Sequence, residues 1–333
     1  MLAWSIGVIS GSGYAFPENP QTEEDAAHAR QRLIRRNTRF EPTAGLVMAV
    51  ASGIAFGTLG ILAKIAYEHG AGSLALLAAR FTVSVLLLVG VHLALRRPLL
   101  INKGAIVRLL LLGGFGYGFE AALFFLALER APAGIVGLIF YSYPMWTNVI
   151  GLLTGLERFH GRVAIALVLG TVGVASIFTI EGIGVAGPLL ALGAAVAVGV
   201  YLLLAQIVMR DIDPIHSALW TSFGASLTVG LAALLSRSSL PNEAWPQVAG
   251  LGIASALAFA LLYAAIARIG AGRSSIANMV EPVTTVLLAA AILGEPLTLR
   301  IAIGAALVVS ALPVLASVGR REVKTPSELV AHD

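Results

Sequence analysis

AGIVGLIFYSYPMWTNVIGLLTGLERFHGRVA, residues 133–164, and AGRSSIANMVEPVTTVLLAAAILGEPLTLRIA, residues 271–302, are two versions of one segment set 138 residues apart. Ala133, Gly134, Pro144, Thr147, Glu157, Arg162 and Ala164 recur as Ala271, Gly272, Pro282, Thr285, Glu295, Arg300 and Ala302. These seven identities gain weight from their setting, a chain of apolar runs in which each half crosses a bilayer an odd number of times. A repeat with an odd number of spans must enter the membrane in opposite orientations.

The surrounding composition places the chain in lipid. Hydrophobic residues make up 58% of it and charged residues 12%, with a mean hydropathy of +0.88. A soluble domain carries about twice that charged fraction. Ten apolar runs approach the roughly 20 residues a membrane helix needs: Thr43–Tyr67, Leu74–Leu95, Ala105–Leu128, Pro132–Thr154 and Val163–Ile180, then Pro188–Met209, Pro214–Leu235, Trp245–Ile266, Ser274–Leu293 and Leu297–Val318. The fold class expected is an all-α membrane protein of ten transmembrane helices, arranged as two inverted five-helix repeats over residues 43–180 and 185–318.

Lysine and arginine set the orientation. Seventeen of the 22 fall in the two tails and in the four loops on the same side as the tails, from the Arg30–Arg39 run to Lys324. The opposite side holds Arg130, Arg237 and Arg300, and Lys64 and Arg80 lie within spans. This split puts both termini in the cytoplasm. The pI near 9.6 therefore reflects loop arginines and not a nucleic-acid partner. Residues 1–42 read either as a disordered cytoplasmic tail or as an over-extended gene start, and 319–333 as a second cytoplasmic tail. With no cysteine in the chain, disulfides and thiolate chemistry are excluded.

Each half places a proline thirteen residues before a glutamate, Pro144 with Glu157 and Pro282 with Glu295. The second copy adds Glu281-Pro282-Val283, Leu293-Gly294-Glu295-Pro296-Leu297, Arg300 and Gly304. In this the chain resembles paired EamA-type domains of the drug/metabolite transporter superfamily over roughly residues 43–318. The first copy departs from the pattern, with Tyr143 before Pro144 and Gly155-Leu156-Glu157 in place of Gly-Glu. The resemblance implies a ten-helix secondary transporter with a central cavity, an exporter of small organic metabolites, amino acids or drug-like solutes. It also implies a bacterial inner-membrane location. The expected partners are a small-molecule substrate, the bilayer, and a coupled proton or exchanged solute. The oligomeric state stays open.

Four charges are buried in the spans: Lys64, Arg80, Glu120 and Glu281. Intramembrane charge is expensive and faces a cavity or a partner. By depth, Arg80 and Glu120 share the outer half and read either as a gate or as a static ion pair. Lys64 reads as a side chain reaching the outer interface. Glu281 falls in the inner third. Asn278, Glu281 and Thr285 follow at helical spacing and form a polar stripe, with Thr284 beside it. Glu281 reads as a ligand for a cation or proton, or as a structural partner for donors freed by Pro282. The repeat equivalents of the stripe are Phe140, Tyr143, Trp146 and Thr147, an aromatic wall capable of cation–π contact or simply of packing. Tyr201, Trp220 and Tyr263 are further candidates for the cavity. Gly53/Gly57 and Gly151/Gly155 have the spacing of close helix crossings, and Pro144 and Pro282 that of kinks.

No HExxH motif, intramembrane Asp or Walker A sequence is present, so no catalytic, metal or cofactor site is expected. An intramembrane enzyme, or a receptor or scaffold without transport, is the alternative class.

Overall fold

Several of the seven identities acquire a role once the helices are placed. The computed structural model describes residues 20–317 except 129, 132, 159, 178–184, 295 and 296, with no strand among the described residues. Contacts divide the chain into residues 1–41 and residues 42–333. The tail expected over 1–42 is helical from Pro20 onward, in a stretch rich in Ala, Gln, Glu and Arg, all good helix formers. Its first nineteen residues, and the tail after Ser317, lie outside the described residues.

The helices are α1 (Pro20–Glu68), α2 (Ser73–Ala94), α3 (Lys103–Leu111), α4 (Gly118–Leu128), α5 (Ala133–Phe140), α6 (Tyr143–Leu153) and α7 (Gly161–Ile177). They continue with α8 (Ala186–Val208), α9 (Pro214–Leu235), α10 (Trp245–Ala277), α11 (Val280–Leu293) and α12 (Leu299–Ala316). A π-helical turn, Leu112–Tyr117, joins α3 to α4. Seven segments are long and apolar enough to cross a membrane, beginning with Pro42–Glu68, and Gly161–Ser176 and Val280–Leu293 are shorter apolar helices. With the broken pair α5–α6 these make the ten elements of the two repeats.

The fourth and ninth elements depart from the continuous spans expected of them. Each starts at an Ala-Gly pair, runs as a half-helix to Phe140 or Ala277, breaks for two residues, and resumes just before Pro144 or Pro282. Proline lacks a donor and crowds the preceding turn, so the ladder parts there. In the second repeat the half-helix begins at Gly270, whose φ of +81° and ψ of 165° separate it from the rest of α10. Asn278 therefore sits in the break and not on one helical face with Glu281 and Thr285, which corrects the uninterrupted stripe.

The half-helix start exposes unpaired amides, and α8 and the α6–α7 loop supply the acceptors. Gln206 Oε1 accepts from Ala271 N and Glu157 Oε1 from Gly272 N at 3.0 Å. Burial raises the Glu157 carboxyl above the usual range, while these amides and Arg273 pull it the other way. Glu157, the first copy of the repeated glutamate, is thus an N-terminal cap delivered from a neighbouring loop.

The repeated arginines cap in the opposite sense. Arg162 Nη1 donates to Ser317 O at the end of α12 at 2.8 Å. Arg300 Nε donates to Ser176 O at the end of α7, also at 2.8 Å. Each arginine opens the fifth helix of its own repeat and closes the fifth helix of the other, as an antiparallel pair requires. The two helices pack on Ala166, Val174, Val308 and Ala311.

The repeated threonines mark equivalent crossings. On α11, Thr285 Oγ1 donates to Gly57 O of α1 at 3.0 Å. On α6, Thr147 lies against Gly199 of α8, where an added Cβ would stand 3.1 Å from Thr147 N. Gly57 leaves less room, since its Cβ would stand 2.6 Å from Thr284 Cβ and 2.7 Å from Glu281 O. Gly53 abuts Val280 and Asn278, so the Gly53/Gly57 pair is a close crossing. Gly155 is not part of one. It has a φ of +72° with no atom within 4 Å and follows the end of α6.

Candidate functional site

Ten residues separate Ala271 from Glu281, about 15 Å at 1.5 Å per helical residue. That is half of a hydrocarbon core about 30 Å thick, deeper than the inner third expected from a span starting at Ser274. The repeat-related Tyr143 stands ten residues after Ala133. The two helix breaks meet, and polar groups gather around them.

Tyr141, in the first break, donates to Glu281 Oε1 at 3.1 Å. Asn278, in the second, donates to the Tyr143 hydroxyl at 3.4 Å, and that hydroxyl reaches Ser275 O at 3.5 Å. The Asn278 Oδ1 atom is buried without a hydrogen-bond partner. Phe140 packs edge-on against Phe124 and lies close to Tyr141 and Tyr143, with ring centroids 4.8–5.7 Å apart. Of the expected stripe and its counterpart, Phe140, Tyr143, Asn278 and Glu281 come together. Thr285 is spent on α1. Trp146 packs its Cβ against Gly199, with its indole N–H buried and unpartnered.

A second cluster adjoins the first through electrostatics. Arg80 Nη2 donates to the Tyr117 hydroxyl at 2.7 Å, and its guanidinium lies 4.7 Å from the Phe81 ring centroid. Its Nε–H is buried without a partner. Arg80 acts electrostatically on both Glu120 and Glu281. Among the described residues no ion pair joins Arg80 to Glu120, which corrects the direct pair. Tyr117 takes the guanidinium because the π-helical turn ends there, three residues before Glu120. Lys64 is exposed on α1.

Beneath Arg80 the tyrosines form a chain. Tyr201 and Tyr263 share a short hydrogen bond between hydroxyls, and Tyr263 donates to Thr221 Oγ1 at 3.1 Å. Phe81, Tyr117, Tyr201, Thr221, Ser222, Ala225, Phe259 and Tyr263 close in on a narrow crevice. A separate shallow cleft lies at Pro42, Leu46, Ile269, Arg273 and Leu315 and shares no residue with the tyrosines. Trp220 is away from the crevice, donating to Leu99 O at 3.3 Å.

Sequence reasoning missed Tyr117, Tyr141 and Thr221. The run Gly113-Gly114-Phe115-Gly116-Tyr117-Gly118 was the available signal for Tyr117. Glycines at that density inside an apolar span allow close backbone contact, and Gly113 lies against Thr221 O of α9. π-Helical turns of this kind gather at functional positions. Nothing comparable marks Tyr141.

The family model described as the EamA-like transporter family matches this chain twice, over residues 43–179 and 185–316. A solved protein structure with 20% sequence identity superposes with a TM-score of 0.71, covering 85% of this chain and 99% of that one, which is a likeness of fold. No curated protein sequence matches.

Proposed function

The chain belongs to the EamA-like transporter family, and from that premise we propose that it is a secondary transporter exporting small organic solutes by alternating access. Metabolites, amino acids and drug-like compounds are the classes to test. The observation that carries this reading is the meeting of the two broken helices at Glu281, Tyr141, Tyr143 and Asn278. Irregular backbone at membrane depth survives where it is buried in protein or lines a path, and transporters of inverted repeats bind at such breaks. Glu281, Asn278 and Tyr143 serve as ligands, Phe140 and Trp146 as apolar wall, and Arg80 with Glu120 as the charged layer beside them. Thr285 supports Glu281 from the α1 side. A proton or an exchanged solute is the coupled partner in this reading.

The proposed orientation has both termini in the cytoplasm of a bacterial cell, with the chain in the inner membrane. Because the chain has no cysteine, single cysteines report topology cleanly. Those near Gly70 and Asn242 are expected to react with an impermeant thiol reagent in intact cells, and those near His160 and Asp211 to stay protected. The reverse pattern inverts the orientation.

Function is tested with purified protein in two steps. A thermal-shift screen over amino acids, nucleobases, polyamines and cationic drugs identifies ligands of the native state. Each hit is then measured by counterflow in proteoliposomes. At least one hit should be carried, and ligands that bind without any counterflow would argue for a receptor instead.

A further inference from the structure

The end of the bundle that carries Arg97 also holds two histidines remote from the helix breaks. His92 lies in the last turn of α2 and His216 in the first turn of α9, so their contact joins the first repeat to the second. The rings meet edge to face, centroids 4.4 Å apart, at 0% and 7% exposure.

Their protons can be placed from their partners. His92 Nδ1 lies 2.8 Å from Leu88 O, and His216 Nε2 lies 2.8 Å from Pro98 O. A carbonyl only accepts, so each of these ring nitrogens carries hydrogen. A neutral imidazole has one N–H, which leaves bare lone pairs on His92 Nε2 and His216 Nδ1. Those are the two ring atoms that are buried with no hydrogen-bond partner. A third acceptor stands beside them, Asp213 Oδ1, 3.7 Å from His216 Nδ1. The other carboxylate oxygen accepts from Arg97 Nη1 at 3.2 Å.

We infer that His92, His216 and Asp213 form a proton-binding site that takes up a single proton at His216 Nδ1. The added charge faces Asp213 and turns an acceptor-to-acceptor contact into an ion pair at 3.7 Å. The Asp213 side chain is 41% exposed, which gives the proton a route from water. His92 Nε2 is fully buried and has no acceptor facing it, so the geometry offers a second proton no partner there. Asp213 and Arg97 are the charged groups in ion-pair contact with the cluster among the described residues. Lys103 and Arg108 of α3, and Arg268 and Arg273 of α10, make no ion pair with it.

Proton uptake has a mechanical consequence. His216 is already tied to Pro98 in the α2–α3 connection, and Asp213 to Arg97 in the same connection. The proton couples these two existing ties through the i,i+3 contact of Asp213 and His216 at the start of α9, and so adds to them in acid.

The experiment needs no transport substrate. Full-length protein carrying isotopically labelled histidine in lipid nanodiscs is titrated by NMR from about pH 8 to about pH 5, the range in which imidazoles change charge. His216 should protonate while His92 keeps its neutral tautomer. Asp213→Asn, at a half-exposed position, should move the His216 midpoint down by about one unit, tenfold in proton affinity. His216→Gln should leave His92 neutral throughout, and assigns the resonances. Protonation of both rings, a His216 that never titrates, or an unchanged midpoint in Asp213→Asn would each overturn the site.

Discussion

At equivalent positions of the two repeats, just before the proline that follows the break, one half has Tyr143 and the other Glu281. Around them the architecture is shared: an Ala-Gly start, an eight-residue (Ala133–Phe140) or similar half-helix, a two-residue break, a threonine at a close crossing. Among the identical residues, Glu157, Arg162, Thr285 and Arg300 hydrogen-bond backbone groups of neighbouring elements. The residues that differ at Phe140 and Asn278, and at Tyr143 and Glu281, are those that gather at the breaks. Symmetry is kept in the scaffold and abandoned in the chemistry, which leaves one wall aromatic and the other acidic.

The sharpest way to break that contrast is to neutralise its acidic side. Glu281→Gln preserves size and an acceptor for the Tyr141 hydroxyl, which donates at 3.1 Å. The protein should fold and reach the membrane, and counterflow should fall by at least about tenfold, equivalent to ~1.4 kcal/mol of barrier. Tyr141→Phe should have a smaller effect, because it removes one hydrogen bond and keeps the charge. Wild-type transport in Glu281→Gln would shift the site to Tyr143 and the aromatic wall.

A second test compares the two threonine crossings. Gly57→Ala sets a methyl 2.6 Å from Thr284 Cβ and 2.7 Å from a backbone oxygen, whereas the nearest atom to a Gly199 Cβ is 3.1 Å away. Overpacking of this kind costs about 1–3 kcal/mol. Gly57→Ala should lose most of that range in stability and Gly199→Ala little, measured by thermal unfolding in one detergent. Equal losses would mean that the α1–α11 crossing is no tighter than its partner.

These differences also explain what could be read from the chain beforehand. Span count, family and the Gly53/Gly57 crossing follow from composition, spacing and resemblance, because they depend on residue class and not on contacts. The helix breaks did not follow, although Pro144 and Pro282 pointed to kinks, since a proline shows where a ladder weakens and not whether it parts. Arg80 was legible as a costly charge, but its partner was not. A guanidinium accepts either a carboxylate or a phenol, and only the π-helical turn at Leu112–Tyr117 brings Tyr117 to it. Glu157, Arg162 and Arg300 were legible as members of a repeat and silent about purpose, because capping across repeats needs the antiparallel placement of the helices.

A third test uses the arginine caps. Arg162→Gln removes a hydrogen bond to Ser317 O in a partly buried position, and Arg300→Gln one to Ser176 O in an exposed position. Each should lower thermal stability, Arg162→Gln by about 1 kcal/mol and Arg300→Gln by less, as expected for charged hydrogen bonds weakened by solvent. The double variant should show close to the sum, because the two caps lie at opposite ends of the α7–α12 pair.

The smallest expected effect belongs to Glu157, and its sign is informative. Burial raises this carboxyl above its ordinary value despite the amides of Ala271 and Gly272 and the charge of Arg273. A raised carboxyl binds its proton more tightly in the folded protein than in the unfolded one. Its contribution to stability is then full below the ordinary carboxylate value of 4.5 and is lost as pH rises through the folded value. Thermal stability measured from pH 4 upward should therefore show a shallow decline in wild type. Glu157→Gln cannot titrate and should lack that component, while its amide oxygen still accepts from Gly272. A decline of equal size in both proteins would assign the pH dependence elsewhere and leave Glu157 as a cap alone. A steeper loss in the variant at every pH would show that the ionised carboxylate holds the half-helix start more strongly than burial opposes it.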